Sequence, residues 1–233
     1  MLIREGESRS PGIDIGLAIS LAAIAGAINA ATFRAAGFFS GNMTGNVSSV
    51  SDYTAAGSWG LAATFLAIVV TFILGAFSST LVIRAAQRRG IRGVFALVIL
   101  GEGFFVAIIS VVDLLMSPHH GTPLLVLGLA FLMGVQNAAS TLISNWRVRT
   151  THVSGTATDI GIELALILGA AEVEPGVRAR FRLHALTLLA FLLGGVAGVA
   201  AYLGMGDAIF VISGLALMVL ASPFVLSARR STA

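Results

Sequence analysis

Six stretches of about 20 residues, nearly free of charge, dominate this chain: residues 15–33, 60–83, 93–116, 122–145, 183–204 and 208–228. Only the third contains acidic residues, Glu102 and Asp113, and none contains arginine. A helix of that length crosses the roughly 30 Å hydrocarbon core of a bilayer. Charged residues make up 11% of the chain, against about a quarter in soluble domains. That is too little to cover a water-facing surface, and a soluble globular fold is excluded. The reading is an all-α polytopic membrane protein whose main partner is the lipid bilayer.

Two further segments are helical in length but ambiguous. Residues 40–56 read SGNMTGNVSSVSDYTAA, and residues 154–171 read SGTATDIGIELALILGAA. The first is too polar to face lipid, where each unpaired polar group costs several kcal/mol. Both are expected to enter the membrane from one side and stop inside the protein. Arginine placement supports this, since arginine concentrates in cytoplasmic loops. The fourteen basic residues are all arginine. With six spans and a cytoplasmic N-terminus, thirteen lie inside and only Arg34 lies outside. If only the first segment spans and the chain is flipped, the split is 12 to 2, which leaves that topology open.

The expected organisation is a cytoplasmic tail at 1–14, one transmembrane domain at 15–228, and a tail at 229–233. No removable signal peptide is expected, because the first residues are polar and mixed in charge. A net charge of +3 gives no case for nucleic acid. Cysteine is absent, which excludes disulfides and thiolate metal sites. The four histidines lack zinc-ligand spacing, and no cofactor or metal is expected. His119 and His120 read as a solvated turn.

The chain also reads as two halves, about 15–116 and 122–228, each ordered span, re-entrant segment, span, span. Gly26-Ala27-Ile28-Asn29-Ala30 corresponds to Gly134-Val135-Gln136-Asn137-Ala138, and Asn42-Met43-Thr44-Gly45-Asn46 to His152-Val153-Ser154-Gly155-Thr156. The offset is 108 at Asn29/Asn137 and 110 at Thr44/Ser154. Three spans per half is an odd number, so the halves are expected in opposite orientations, the inverted-repeat design of many transporters.

GFFSGNMTGN after a span ending in Asn-Ala, followed later by GVQNAAS and RTTHVSGTATDIG, resembles the YoaK family of bacterial integral membrane proteins. The resemblance covers the chain from about Ile15 onward and implies a polytopic bacterial inner-membrane protein without an established activity. Many members resembling this one carry Asp where Asn29 stands, and Thr where Ser154 stands. The first difference removes an intramembrane charge, and the second keeps the hydroxyl.

The candidate pathway residues are polar groups within or beside the spans: Asn29, Asn42, Thr44, Asn46, Gln136, Asn137, Thr151, Ser154 and Thr156. Gly41, Gly45 and Gly155 would permit close backbone approach. Half-helices starting near Thr44 and Ser154 would aim free N–H groups at a small polar or anionic solute. The competing reading is that these residues only cap short helices and join spans. Glu102, lone and mid-span, is a candidate for proton coupling, and so is His152. Asp113 is expected at the interface. Asp159 and Glu163 share a helix face and are expected to pair with Arg147 and Arg149. Gly194 and Gly198 read as a helix-packing motif.

These features point to a small secondary transporter or channel-like permease, with a non-transporting scaffold or accessory subunit as the alternative. A homo-oligomer is compatible with either. An intramembrane enzyme is disfavoured. His152 and Ser154 are too close along one helix to align for proton transfer, and no Gly-x-Ser-x-Gly turn is present.

Overall fold

The computed structural model describes residues 1–3, 10–116, 122–169 and 172–230. Arg4, Arg9, His119 and His120 lie outside the described residues, as do the side chains of Arg229 and Arg230. Eight helices account for the described elements: α1 (Pro11–Ala36), α2 (Met43–Ala55), α3 (Trp59–Arg88), α4 (Val94–Met116), α5 (Pro123–Ile143), α6 (Val153–Gly169), α7 (Val177–Met205) and α8 (Ala208–Arg230). Six of them, α1, α3, α4, α5, α7 and α8, are long and apolar enough to cross a membrane. The two short ones, α2 with 13 residues and α6 with 17, are the two ambiguous segments of the sequence.

Several spans extend past their apolar stretch into charged residues. α1 starts at Pro11, where a proline suits a first helical turn, so Asp14 lies in the helix and not in a tail. There its carboxylate is buried and meets Arg147 at 2.8 Å. α3 runs on to Arg88. α7 begins at Val177 and carries Arg178, Arg180 and Arg182 on its first turns. Arginine is a good helix former whose long stem lets the charge reach water from a helix end.

Packing follows the two halves. The main pairs are α1 with α7, α3 with α5, and α4 with α8. Exchange of α1 for α5, α2 for α6, α3 for α7 and α4 for α8 turns the first pair into the second and leaves the third unchanged. The lesser contacts obey the same exchange. α2 rests on α3 as α6 rests on α7, and α4 meets α5 as α8 meets α1. The partners also match in depth of burial, with α1 and α5 central (56% and 67% of their apolar windows buried) and α3 and α7 peripheral (22% and 17%). Outward side chains such as Leu66, Ile73 and Phe77 on α3, and Leu192, Leu193 and Val196 on α7, form the apolar surface that such spans present to lipid.

Glycines set these crossings. A Cβ on Gly26 would lie 2.1 Å from the Phe191 carbonyl oxygen of α7, and one on Gly134 would lie 2.1 Å from that of Phe72 on α3. Gly75 meets the Phe131 carbonyl at 2.0 Å, and Gly194 meets that of Ala23 at 2.0 Å. These four contacts are two equivalent pairs. Gly194 and Gly198 sit against Ala23 and Ala27 in the same order along α1, so α1 and α7 run parallel. Gly93 meets Ala228 while Gly103 meets Gly214 and Leu217, so α4 and α8 run antiparallel. With no hydrophobic drive between helices in lipid, such backbone approach is what van der Waals association requires.

Candidate functional site

Each short helix is launched from inside the bundle by a polar device. After α1 ends, the chain turns back, and the Gly41 N–H donates to the Asn29 side-chain oxygen at 2.7 Å, twelve residues earlier. Asn42 then caps α2 by accepting from the Gly45 N–H at 3.1 Å. One turn on, the Asn46 amide donates to the Phe39 carbonyl at 3.1 Å. In the second half the chain leaves α5 through Asn145 and Trp146, both at positive φ. Ser144 accepts from the Val148 N–H at 2.9 Å. The Thr156 hydroxyl donates to the His152 carbonyl at 2.9 Å in the first turn of α6.

The N-termini of α2 and α6 open on a shared cavity of about 400 Å³. Under the expected correspondence of the two halves, its lining pairs Asn29 with Asn137, Gly41 with Thr151, Asn42 with His152, Met43 with Val153, Thr44 with Ser154, and Phe72 with Phe191. Phe72 and Phe191 each sit close to the midpoint of their helix, which puts the cavity at mid-depth. The two launching loops touch, because a Cβ on Gly41 would lie 3.3 Å from the Thr151 methyl. No aspartate, glutamate or arginine lines the cavity, and His152 is its one titratable side chain among the described residues.

Of the residues singled out in the sequence, Asn29, Gly41, Asn42, Thr44, Asn137, Thr151, His152 and Ser154 meet at this cavity. Asn46, Thr156, Gly45 and Gly155 lie one turn behind. The two glycines leave room for the residue three before them to fold back over the helix end. A Cβ would lie 2.5 Å from the Asn42 amide nitrogen at Gly45, and 2.1 Å from the His152 ring at Gly155. Gln136 and Glu102 lie elsewhere. The helical turn that brings Asn137 to the cavity rotates Gln136 toward α4, where its amide donates to Glu102 at 3.1 Å.

The acidic residues make contacts that the sequence did not assign. Asp113 is buried at the end of α4 and accepts from the hydroxyl of Thr122, the residue that caps α5. Asp159 stays exposed. Glu163 is buried and faces α7, with His184 at 3.0 Å and Arg180 at 3.7 Å. Arg147 pairs with Asp14, and Arg149 lies over the Trp146 ring at 5.7 Å. A second cavity, of about 410 Å³, shares His152 with the first and adds Arg147, Arg149, Asp159, His184 and Thr187. At the position where Glu163 meets His184, the first half stacks Tyr53 on Phe65, with ring centroids 5.5 Å apart.

Sequence reasoning missed the walls Phe72 and Phe191 and the buried hydroxyls of Ser40 and Thr150, both without a hydrogen-bond partner among the described residues. A signal was present, since Phe72 and Phe191 each stand three residues before the packing glycines Gly75 and Gly194. Among the described residues no group of three or more histidines or acids comes together.

Six apolar spanning helices, with two short helices that open on one shared cavity, define an all-α, multi-pass membrane protein. Residues 17–222 match the family described as protein of unknown function (DUF1275), and the chain belongs to it. This agrees with the resemblance carried by GFFSGNMTGN and GVQNAAS. No curated protein and no solved structure matches the chain.

Proposed function

We propose that the protein is a small secondary transporter or channel-like permease of the bacterial inner membrane, with both termini cytoplasmic. Its solute site is the cavity between α2 and α6. The observation that carries this reading is the composition of that cavity, in which Asn29, Asn42, Asn137, Thr44, Thr151 and Ser154 converge. A bundle that only needed to stay folded would gain from closing mid-depth space with apolar side chains. This one leaves about 400 Å³ in which three amides and three hydroxyls stand beside apolar walls such as Phe72 and Phe191.

The cavity favours a small polar or anionic solute over a cation. Two helix N-termini contribute free N–H groups and partial positive charge, and no carboxylate among the described residues lines the space. The exchange symmetry of the helix contacts, with α4 and α8 antiparallel, supports an inverted repeat, in which one half rocks against the other around a fixed central site.

The test is solute flux into proteoliposomes across a panel of small anions and neutral polar solutes. Wild-type vesicles are expected to take up at least one of them. Thr44→Val and Ser154→Ala are expected to reduce that uptake about tenfold, roughly the loss of a 1.4 kcal/mol interaction. No uptake from the whole panel, or uptake indifferent to both substitutions, overturns the reading.

A further inference from the structure

Glu102 and Gln136 form a polar island in the core, 2% and 0% exposed. One hydrogen bond joins them, from the Gln136 Nε2 to the Glu102 Oε1 at 3.1 Å. The other oxygen of each side chain, Glu102 Oε2 and Gln136 Oε1, is buried without a hydrogen-bond partner among the described residues. Both orphans are acceptors when the carboxyl is ionised. Two partnerless acceptors and an unpaired charge in one apolar pocket cost several kcal/mol. A single proton removes the whole difficulty. A carboxylic acid and a primary amide can face each other as a closed ring, with the amide N–H donating to one carboxyl oxygen and the acid O–H donating to the amide oxygen. The observed bond is half of that ring, and the two orphans are the other half.

Among the described residues, the helices packed against α4 bring no charged competitor for this proton. α5, which carries Gln136, has no charged residue, and α8 has none before Arg229. On α4 itself the nearest charge is Asp113, three turns away and engaged with Thr122. Arg84 and Arg88 on α3 are exposed. Nor does packing demand the pair. The equivalent junction between α8 and α1 places Ser213 and Ile28 at these positions, both buried, so the same crossing forms there without an acid or an amide.

We propose that Glu102 and Gln136 form a proton-binding site, with Glu102 carrying its proton at neutral pH and closing an acid–amide ring with Gln136. Gln136 adjoins Asn137 on α5, so loss of the proton would rearrange a side chain one residue from the cavity. That link to the cavity rests on the permease reading, whereas the proton site does not.

The test is infrared spectroscopy of the purified protein in lipid nanodiscs at neutral pH, comparing wild type with Glu102→Gln. The difference spectrum is expected to contain the carbonyl stretch of a protonated carboxylic acid, and Gln136→Leu is expected to move that band to higher frequency. Glu102→Gln is expected to melt at the wild-type temperature, because an amide reproduces both bonds of the ring. A difference spectrum showing only an ionised carboxylate overturns the proposal. So does a wild-type protein stabilised by sodium or potassium over choline in a Glu102-dependent way, which would make the orphans a cation site. If the band is present while flux of a transported solute ignores both pH and Glu102→Gln, the proton site stands and its link to the cavity falls.

Discussion

Asn29 and Asn137 hold equivalent positions and both line the cavity, yet they do different work. The Asn29 oxygen receives the Gly41 N–H at 2.7 Å and so fixes where α2 begins, whereas the Asn137 oxygen is buried without a partner among the described residues. Removing an acceptor from a buried donor costs about 1–3 kcal/mol, whereas removing an acceptor that receives nothing costs far less. Asn29→Ala is therefore expected to lower stability by about 1–3 kcal/mol, and Asn137→Ala to leave it nearly unchanged. Thermal unfolding of both variants in the same detergent reads the difference, and equal losses would contradict this assignment. Asn29→Asp keeps the acceptor and should retain the fold. Sequence made both asparagines visible as amides within spans, but not which of them is engaged. That depends on a loop returning twelve residues later, and no local pattern encodes it.

At the scale of helices, the glycine crossings give a graded expectation. An alanine methyl at Gly26, Gly75, Gly134 or Gly194 would lie about 2 Å from a carbonyl oxygen of the neighbouring helix. Backbone cannot swing aside as a side chain can, so each Gly→Ala change is expected to cost about 1–3 kcal/mol or more through overpacking. Gly101 and Gly204 are also helical, but a methyl there meets nothing within 4 Å. Substituting alanine at either should be neutral or slightly stabilising, through helix propensity. Melting temperatures of the six single variants separate the two groups, and a shared response would show that the crossings are looser than described. The six spans and two short helices were legible because apolar length and arginine position follow from bilayer physics. Gly194 and Gly198 were legible from their spacing. The early starts of α1 and α7 were not, because Asp14 and the Arg178–Arg182 region look like loop until a partner or a helix end accounts for the charges. The Glu163–His184 contact was hidden for a related reason. Local spacing offered Arg147 and Arg149 as partners, and the fold brought α7 instead.

For the molecule as a whole, the question is which side each segment returns to, and the absence of cysteine makes that directly measurable. With 13 residues α2 is too short to cross alone, and each short helix packs along the span that follows it, α2 on α3 and α6 on α7. Tyr53, near the end of α2, stacks on Phe65 in the first third of α3, so α2 leaves the bundle by the face at which α3 begins. Glu163 of α6 meets Arg180 and His184 near the start of α7, so α6 leaves by the face that carries the arginines. Cysteines at Arg34 and Ala55 should then react with a membrane-impermeant maleimide from one side, and cysteines at Arg89 and Glu172 from the other. All four positions are exposed. Because arginine favours the cytoplasm, the first pair is expected to label in intact cells and the second only after permeabilisation. If α2 crossed the membrane, Arg34 and Ala55 would label from opposite sides. The flipped topology, which the arginine count alone leaves open at 12 to 2, would give that result. The halves would then no longer present their short helices to one cavity from opposite faces, and the central-site mechanism would fail with them.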